Sequence, residues 1–274
     1  MAEWTLTRRF DTAQGEVLWD RFGDGPPLVL LHGTPFSSYV WRDVAPALAA
    51  THTVHVWDML GYGRSEKRSE QDVSLGRQAA LFAELLAHWE LERPAVVAHD
   101  FGGAVALRAH LLHGAAYDRL ALVDAVTHAP WGTGLFRLAR EHPDALTRLP
   151  AHLHEALVRA YIGTASHSGL SEQTLGAYVA PWLGAEGQAA LYRQMAQGDE
   201  RFTNEIQDRY GELRLPVLIC WGTDDEWLAP SKAEELAAAI PSARLTWLHD
   251  AGHLAQEDAP AQLMAALTDF LGRP

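Results

Sequence analysis

The sequence contains a single cysteine, Cys220, and no apolar run of the length that crosses a membrane. Because one cysteine cannot form a disulfide within the chain, we expect a reducing compartment and a cytoplasmic location. Apolar runs such as Leu28 to Leu31 fall far below the roughly 18 residues that a membrane-spanning helix requires. The sequence therefore predicts no membrane partner.

Basic residues are also scarce, since 22 Lys and Arg stand against 35 Asp and Glu, giving a net charge of −13 with histidine neutral. Such a field repels phosphate backbones and anionic lipids, which argues against nucleic acid as a partner. The 274 residues are 48% hydrophobic and 21% charged, a balance that is typical of globular proteins and excludes disordered or collagen-like chains. The length lies between one domain and two.

Short apolar runs without polar alternation recur along the chain and indicate strands that are buried on both faces of a parallel sheet. These runs cover residues 28–31, 53–57, 94–98, 120–123, 217–221 and 245–248, after a hairpin formed by residues 4–10 and 16–22. Helices are predicted at residues 74–89, 104–112, 231–240 and 260–271. The alternation predicts a doubly wound α/β fold with a mostly parallel sheet.

Residues 127–210 differ from the rest of the chain, because they contain helical stretches and turns but no pattern of a buried strand. We interpret them as a helical cap inserted after the strand that ends near Asp124. Open α/β sheets bind ligands beyond the carboxyl ends of their strands, where such a cap would lie. The predicted domains are therefore an α/β core of residues 1–126 and 211–274 and a cap of residues 127–210.

The segment from Val96 to Gly103 has the composition of a nucleophile elbow, in which a strand turns sharply into a helix. Ala98 and Gly102 lie two positions on either side of Asp100, and a tight turn needs small residues there. Such a turn lifts the central side chain out of the sheet, which makes Asp100 a candidate nucleophile. The alternative for Asp100 is a structural role as a helix N-cap, which aspartate commonly fills.

Five motifs in this order resemble the α/β-hydrolase family, and specifically its branch of epoxide hydrolases and haloalkane dehalogenases with an aspartate nucleophile. They are His32-Gly33-Thr34-Pro35, the turn from Asp58 to Ser65, the elbow from His99 to Gly103, Gly222-Thr223-Asp224-Asp225 and Ala251-Gly252-His253. The resemblance covers nearly the whole chain and implies an α/β-hydrolase fold that needs no cofactor. No histidine–carboxylate arrangement has the spacing of a metal site, so no metal is expected.

The aspartate itself restricts the chemistry. A carboxylate that attacked an ester carbonyl would form a reactive anhydride, whereas attack on a saturated carbon forms an ordinary alkyl ester that water can cleave. Asp100 therefore favours epoxides or alkyl halides over esters and peptides. The expected partner is a small apolar or moderately polar organic substrate, and the sequence does not specify an oligomeric state.

The second step needs a base, and His253 is the candidate because it follows a predicted strand and Ala251-Gly252. The resemblance implies that Asp225 orients His253, and Asp124, which ends the strand after the elbow helix, remains an alternative acid. It also implies that the backbone amides of Phe101 and Thr34 stabilise the developing oxyanion.

The leaving group separates the two enzyme classes. For an epoxide, the resemblance implies an acid from a cap tyrosine, and Tyr192 is the candidate. Haloalkane dehalogenases typically carry tryptophan after the nucleophile, and many carry asparagine before the proline of the first motif, whereas this chain has Phe101 and Thr34. Other candidate pocket residues are His32, Pro35, Trp131, Tyr161 and Trp182.

Epoxide hydrolysis is thus the leading expectation, and haloalkane or haloacid dehalogenation is the alternative. A ligand-binding relative without activity is the alternative from another class.

Overall fold

The computed structural model describes residues 4–272, so residues 1–3 and 273–274 of the predicted core domain lie outside the described residues. Its centre is an eight-stranded sheet with the order β1-β2-β4-β3-β5-β6-β7-β8. The strands are β1 (Arg8–Thr12), β2 (Gly15–Phe22), β3 (Pro27–Leu31), β4 (Thr53–Trp57), β5 (Ala95–His99), β6 (Arg119–Val123), β7 (Val217–Gly222) and β8 (Ala243–Leu248). Only β1 and β2 pair antiparallel to their neighbours, and the other pairings are parallel.

Burial along the strands explains this arrangement. Leu28 to Leu31 in β3 and the whole of β5 are buried, because helices cover both faces of the central sheet. Strand β2 alternates between buried and partly exposed residues, as an outer antiparallel strand with one covered face does. The predicted doubly wound, mostly parallel fold is confirmed.

Twelve helices flank or cap this sheet within residues 4–272. They are α1 (Val44–Leu48), α2 (Leu75–His88), α3 (Phe101–His113), α4 (Gly134–Glu141), α5 (Pro143–Thr147), α6 (Ala151–Gly163), α7 (Glu172–Val179), α8 (Gly184–Ala196), α9 (Arg201–Asn204), α10 (Ser231–Ala239), α11 (Ala255–Asp258) and α12 (Pro260–Leu271). Short 3₁₀ helices occupy residues 38–41, 180–182 and 207–212. In the part of the chain that the structure describes, no helix has the length and apolar character of a membrane span.

Two element boundaries differ from the sequence prediction by three or more residues. Strand β1 begins at Arg8 rather than Trp4, because its ladder runs from Arg8 opposite Trp19 to Thr12 opposite Gly15. The amide of Thr7 instead donates to the Asp20 carboxylate. Helix α3 begins at Phe101 rather than Ala104, because the turn at Asp100 leads straight into the helix. Glycines are poor helix formers, which concealed this first turn in the sequence.

Helices α4 to α9 lie between β6 and β7 in the chain and cover the carboxyl end of β3. The indole Nε1 of Trp182 donates to the carbonyl of Pro35 at 2.7 Å, and Thr34 Oγ1 donates to Gln194 Oε1 at 2.8 Å. The two ends of this segment also meet, because the Tyr210 hydroxyl donates to the carbonyl of Thr127 at 2.8 Å. The helices therefore form a cover above the strand ends, where the motifs converge.

Candidate active site

Asp100 stands at a strained turn between β5 and α3, with φ 51° and ψ −120°. Residues other than glycine rarely adopt a positive φ, and such strain persists only where the surroundings enforce it. A side chain at Gly33 would come within 2.2 Å of Asp100 Oδ1, and one at Gly102 within 2.6 Å of the His32 carbonyl oxygen. The glycines therefore allow β3 and its following loop to approach the elbow.

The carboxylate of Asp100 does not cap α3, although Asp100 occupies the N-cap position. Its Oδ1 atom accepts a hydrogen bond of 2.6 Å from the Thr34 amide instead. Phe101 is the first residue of the helix, where backbone N–H groups lack acceptors within the helix. The structure thus places the Thr34 amide, one of the two predicted oxyanion donors, on Oδ1, and Oδ2 is left to face His253.

His253 lies between two carboxylates. Its Nδ1 is 2.9 Å from Asp225 Oδ2, and its Nε2 is 3.3 Å from Asp100 Oδ2. The loop after β7 carries Asp225, and the loop after β8 carries His253. The other oxygen of Asp225, Oδ1, accepts the amides of Trp227 at 2.8 Å and Leu228 at 2.9 Å. These bonds orient Asp225 toward His253, so Asp100, His253 and Asp225 stand in the order in which the sequence predicts a nucleophile, a base and an acid.

The two carboxylates determine the charge of the His253 ring. Burial by itself lowers the pKa of His253, but Asp225 and Asp100 outweigh burial and raise this pKa well above its usual value. The two carboxylates therefore favour the protonated form of the ring, and loss of either negative charge would lower this pKa.

Asp124 is a fourth buried group at this site, at the end of β6 with φ 42°. Its Oδ1 accepts the Gly222 amide at 2.7 Å, whereas its Oδ2 has no hydrogen-bond partner among residues 4–272. Burial and the charge of Asp225 raise the pKa of Asp124 well above its usual value. Both effects favour the protonated form of Asp124, which supports β7 through the Gly222 amide, whereas Asp225 bonds the His253 ring.

Two further histidines stabilise the loops around Asp100, Asp225 and His253. His99 Nε2 donates to the His253 carbonyl at 2.9 Å, and burial together with the charge of His253 lowers the His99 pKa to about 3. His32 Nε2 accepts the Met59 amide at 2.9 Å, so its Nδ1 carries the proton and donates to the Gly33 carbonyl at 2.9 Å. Both rings thus hold backbone in place.

A small cavity of about 20 Å³ lies directly beside Asp100, which is room for about one water molecule. Trp227 and Tyr161 form part of its wall. The Trp227 ring stacks on His253 with centroids 5.1 Å apart, and Tyr161 stacks on Trp227 at 4.5 Å. The remaining lining residues are Thr34, Phe101, Val126, Trp131, Gly132, Thr133, Phe136 and Leu228.

The structure brings only part of the predicted pocket together. Trp131 and Tyr161 line the cavity. His32 and Pro35 lie in the loop behind Thr34, and Trp182 packs against that loop through its bond to the Pro35 carbonyl. These three residues are not among those lining the cavity in the described chain.

Tyr192, the predicted acid for the leaving group, also lies away from the cavity. Its hydroxyl bonds His154 Nδ1 at 2.9 Å, inside the cap. Two positions further along α8, Gln194 faces the core instead, because residues two apart lie on opposite sides of a helix. Its Oε1 accepts the hydroxyls of Thr34 and Tyr62, each at 2.8 Å. Gln194 therefore contacts the loop that carries Thr34.

Sequence reasoning did not single out Trp227, Phe136 or Gln194. Trp227 carried one sequence signal, namely its position two residues after Asp225. In the structure its amide donates to Asp225 Oδ1. Phe136 and Gln194 are cap residues whose direction depends on helix packing. No cluster of three or more histidine, cysteine or acidic side chains arranged to hold a metal ion occurs within residues 4–272.

Comparison with known proteins agrees with the fold. The model of the alpha/beta hydrolase fold family matches residues 26–260, so the chain belongs to this family. The protein is accordingly a hydrolase of the α/β fold.

Individual relatives fall into several classes. A crystal structure of an alpha/beta hydrolase fold protein from Burkholderia ambifaria is 48% identical, covers 97% of this chain and 98% of that chain, and has a TM-score of 0.94. Haloalkane dehalogenase 2 from Mycobacterium tuberculosis is 26% identical over 279 residues, which cover 97% of this chain and 95% of that protein. The epoxide hydrolase CorEH shares the fold, with 23% identity, a TM-score of 0.83 and coverage of 97% and 98%.

Proposed function

We propose that this hydrolase attacks a saturated carbon through Asp100, forms an alkyl ester with it, and releases the product by hydrolysing that ester. The observation that carries the proposal is the nucleophile itself: Asp100 Oδ1 is engaged by the Thr34 amide, and Oδ2 faces the cavity and His253. A carboxylate in this position suits displacement at carbon, because its ester product remains hydrolysable.

In the first step, Asp100 Oδ2 forms a bond to the substrate carbon while the bond from that carbon to the leaving group breaks. The electron pair of the broken bond goes to the leaving group. An epoxide oxygen becomes an alkoxide and takes a proton from an acid, whereas a halide departs as an anion. Oδ1 becomes the ester carbonyl oxygen beside the Thr34 amide.

Ester formation also prepares the base. The ester removes the negative charge of Asp100, which is one cause of the raised pKa of His253, so this pKa falls. A proton on Nε2 then passes to solvent and returns from solvent once the Asp100 carboxylate is restored. Neutral Nε2 then takes a proton from water, and the water oxygen adds to the ester carbon. The amides of Thr34 and Phe101 stabilise the charge that develops on Oδ1.

The intermediate then collapses. The bond from the ester carbon to the alcohol oxygen breaks, and His253 returns its proton to that oxygen. Asp100 becomes a carboxylate again by releasing one proton. In the epoxide reaction that proton restores the acid that protonated the alkoxide, and the product is a diol. In the halide reaction it is released with the halide, and the product is an alcohol.

Side chains around the cavity favour an epoxide. The indole N–H groups of Trp131 and Trp227 are both engaged, since they donate to Thr203 Oγ1 and Thr164 Oγ1 at 3.0 Å. Tyr161 lines the cavity, and Thr133 Oγ1 lies 3.4 Å from its hydroxyl. Burial raises the pKa of Tyr161, which keeps the phenol protonated and able to donate. We therefore propose Tyr161, rather than Tyr192, as the acid.

Dehalogenation is the second candidate, because a haloalkane dehalogenase is 26% identical across 97% of this chain. Either substrate must be small. The cavity holds about 20 Å³, so an organic molecule enters only as aromatic side chains such as Phe101, Trp131 and Phe136 move. Propylene oxide, styrene oxide, bromoethane and ethylene dibromide are suitable probes of both classes.

The decisive experiment uses His253→Ala, which blocks the second step and leaves the nucleophile intact. Intact-protein and peptide mass spectrometry after incubation with each probe should show an alkyl ester on the Asp100 peptide. Asp100→Asn is the matched control, because it lacks the nucleophile and should show no adduct. Absence of an adduct with every probe, in a protein that still binds them, would favour a ligand-binding relative without activity.

Tyr161→Phe separates the two leaving groups. If an epoxide is the substrate, loss of the phenolic proton should lower the rate of diol formation by about 100-fold or more. Halide release from bromoethane needs no proton and should change little. Tyr192→Phe is the control, because the Tyr192 hydroxyl bonds His154 inside the cap. Equal effects of the two substitutions would refute the role given to Tyr161.

A further inference from the structure

Asp258, at the end of α11, joins the loop that carries His253 to the cap. Its Oδ2 accepts the Gly252 amide at 2.9 Å and the His167 amide at 2.8 Å. Its Oδ1 accepts the hydroxyls of Ser166 and Ser168 at 2.6 Å each, and the Ser168 amide at 3.1 Å. One carboxylate therefore bonds both the residue before His253 and a run of three cap residues.

A second set of contacts joins the same two segments without Asp258. The Leu254 amide donates to the Ala165 carbonyl at 2.9 Å, so the residues on both sides of His253 are tied to the cap. A side chain at Gly252 would come within 2.8 Å of the His167 amide nitrogen and 3.0 Å of the Ala165 carbonyl oxygen. The cap backbone thus packs directly on the histidine loop.

The ring of His253 is held from the same side. Trp227 stacks on the ring, and its Nε1 donates to Thr164 Oγ1 at 3.0 Å, immediately before the tethered cap residues. Tyr161 lies about one turn earlier in the chain, and its ring stacks on the Trp227 ring. Cap residues 161–168 therefore contact the residues on both sides of His253 and the Trp227 ring that stacks on it.

We propose that Asp258 is a positioning residue, which acts with cap residues 165–168 to hold His253 in place for ester hydrolysis. The cap would then determine the rate of the second chemical step as well as the shape of the pocket. This inference rests on the proposed function, because it assigns the effect to one half of that reaction. A base displaced by about 1 Å loses rate steeply.

The substitution Asp258→Asn tests this proposal, because the amide group retains one acceptor and presents a donor to the amides of Gly252 and His167. With a probe that alkylates His253→Ala, we expect kcat to fall by about 10-fold to 100-fold. The value of kcat/KM reports steps up to alkylation and should stay within about twofold. The Asp100 ester should accumulate during turnover and be visible by mass spectrometry.

A cap-side variant keeps the test valid if Asp258→Asn folds poorly. Ser166→Ala combined with Ser168→Ala removes two donors to Asp258 and leaves the histidine loop itself unchanged. We expect the same pattern at smaller size, namely lower kcat, unchanged kcat/KM and an accumulating ester. Asp250→Asn is the control, because Asp250 is an exposed residue of the same loop.

Hydrogen exchange gives a readout that needs no substrate. The serine double variant should speed amide exchange in peptides that cover residues 249–256, and Asp250→Asn should not. Unchanged exchange there, or an equal fall of kcat and kcat/KM without ester accumulation, would overturn the positioning role. If no probe alkylates even His253→Ala, the proposed function fails, and the exchange result still decides whether the cap holds the loop.

Discussion

Asp225 and Asp124 are two buried carboxyl groups at one site that have different partners. Asp225 bonds the His253 ring and accepts two backbone amides. Asp124 accepts one amide, and burial together with the charge of Asp225 raises its pKa well above the usual value. At the scale of single residues, the hydrogen-bond partners distinguish the carboxyl group that bonds the ring from its neighbour.

We predict that Asp225→Asn lowers kcat by about 1,000-fold or more, because the ring of His253 loses the group that fixes its tautomer and stabilises its positive charge. Asp124→Asn should lower kcat by less than about 10-fold, since asparagine resembles a neutral carboxylic acid and keeps an acceptor for the Gly222 amide. Steady-state kinetics with the best probe measures both variants. A larger loss at Asp124 would exchange the two roles.

A second prediction concerns the pKa of His253. Asp100→Asn removes one of the two charges that raise this pKa, as ester formation does, and should lower it. An NMR titration of the His253 ring in the two proteins measures the difference. Asp224→Asn is the control, because Asp224 is exposed and its carboxylate makes no contact with the ring. An unchanged pKa in Asp100→Asn would contradict the mechanism of base activation.

At the scale of elements, the elbow depends on how closely β3 and its loop approach α3. Gly102 lies in the first turn of α3, where an added side chain would meet the backbone carbonyl of His32. This packing holds the residues before and after Asp100 in place, and it thereby maintains the strained turn at Asp100. The low helix propensity of glycine is thus outweighed by a contact that no larger residue permits.

We predict that Gly102→Ala destabilises the protein by about 1–3 kcal/mol, since the backbone at His32 cannot move aside without disturbing the sheet. Gly163→Ala is the matched control. Gly163 is the last residue of α6, its φ is not positive, and a side chain there meets open space. It should be neutral or stabilising by about 0.4–1 kcal/mol. Urea unfolding compares the two, and equal effects would contradict this account of the elbow.

At the scale of the whole molecule, a partly buried ion pair within the core is joined to the cap by a tyrosine. Arg42, beside the loop after β3, binds Glu257 with two bonds of 2.5 and 2.8 Å. Tyr178 from cap helix α7 donates to the same carboxylate. Burial lowers the pKa of Arg42, but the bonds to Glu257 raise this pKa by more. The net rise keeps the guanidinium charged. Three separate parts of the chain therefore meet at Glu257.

We predict that Glu257→Gln destabilises the protein by about 1–3 kcal/mol, because the partly buried Arg42 loses its two-bonded partner and keeps only the pair with Asp43 at 3.3 Å. Glu212→Gln is the control, since Glu212 pairs with Arg209 at the surface, where such pairs contribute about 0–1 kcal/mol. Urea unfolding measures both. If the two substitutions cost the same, Glu257 does not hold the cap against the core.

The whole-molecule view also explains which site residues could be predicted. Asp100, Asp225 and His253 each follow a strand, and parallel strands bring their carboxyl ends to one edge of the sheet. Their proximity follows from the order of elements alone. Tyr192 and Trp182 belong to cap helices whose rotation is set by packing, so their directions could not be read from spacing. The direction of Gln194, which faces the loop that carries Thr34, likewise depends on how its helix packs.

The sequence by itself determined the class of fold and the order of the strands with their motifs, among them the aspartate at the elbow on which the proposed displacement at carbon rests. These depend on local patterns of burial, turn residues and side-chain chemistry. Only the tertiary structure decided that Asp225 rather than Asp124 bonds the His253 ring, that Tyr161 lines the cavity, and that Asp258 bonds both the Gly252 amide and the cap. These features depend on distances and desolvation between segments far apart in the chain, which no local pattern specifies.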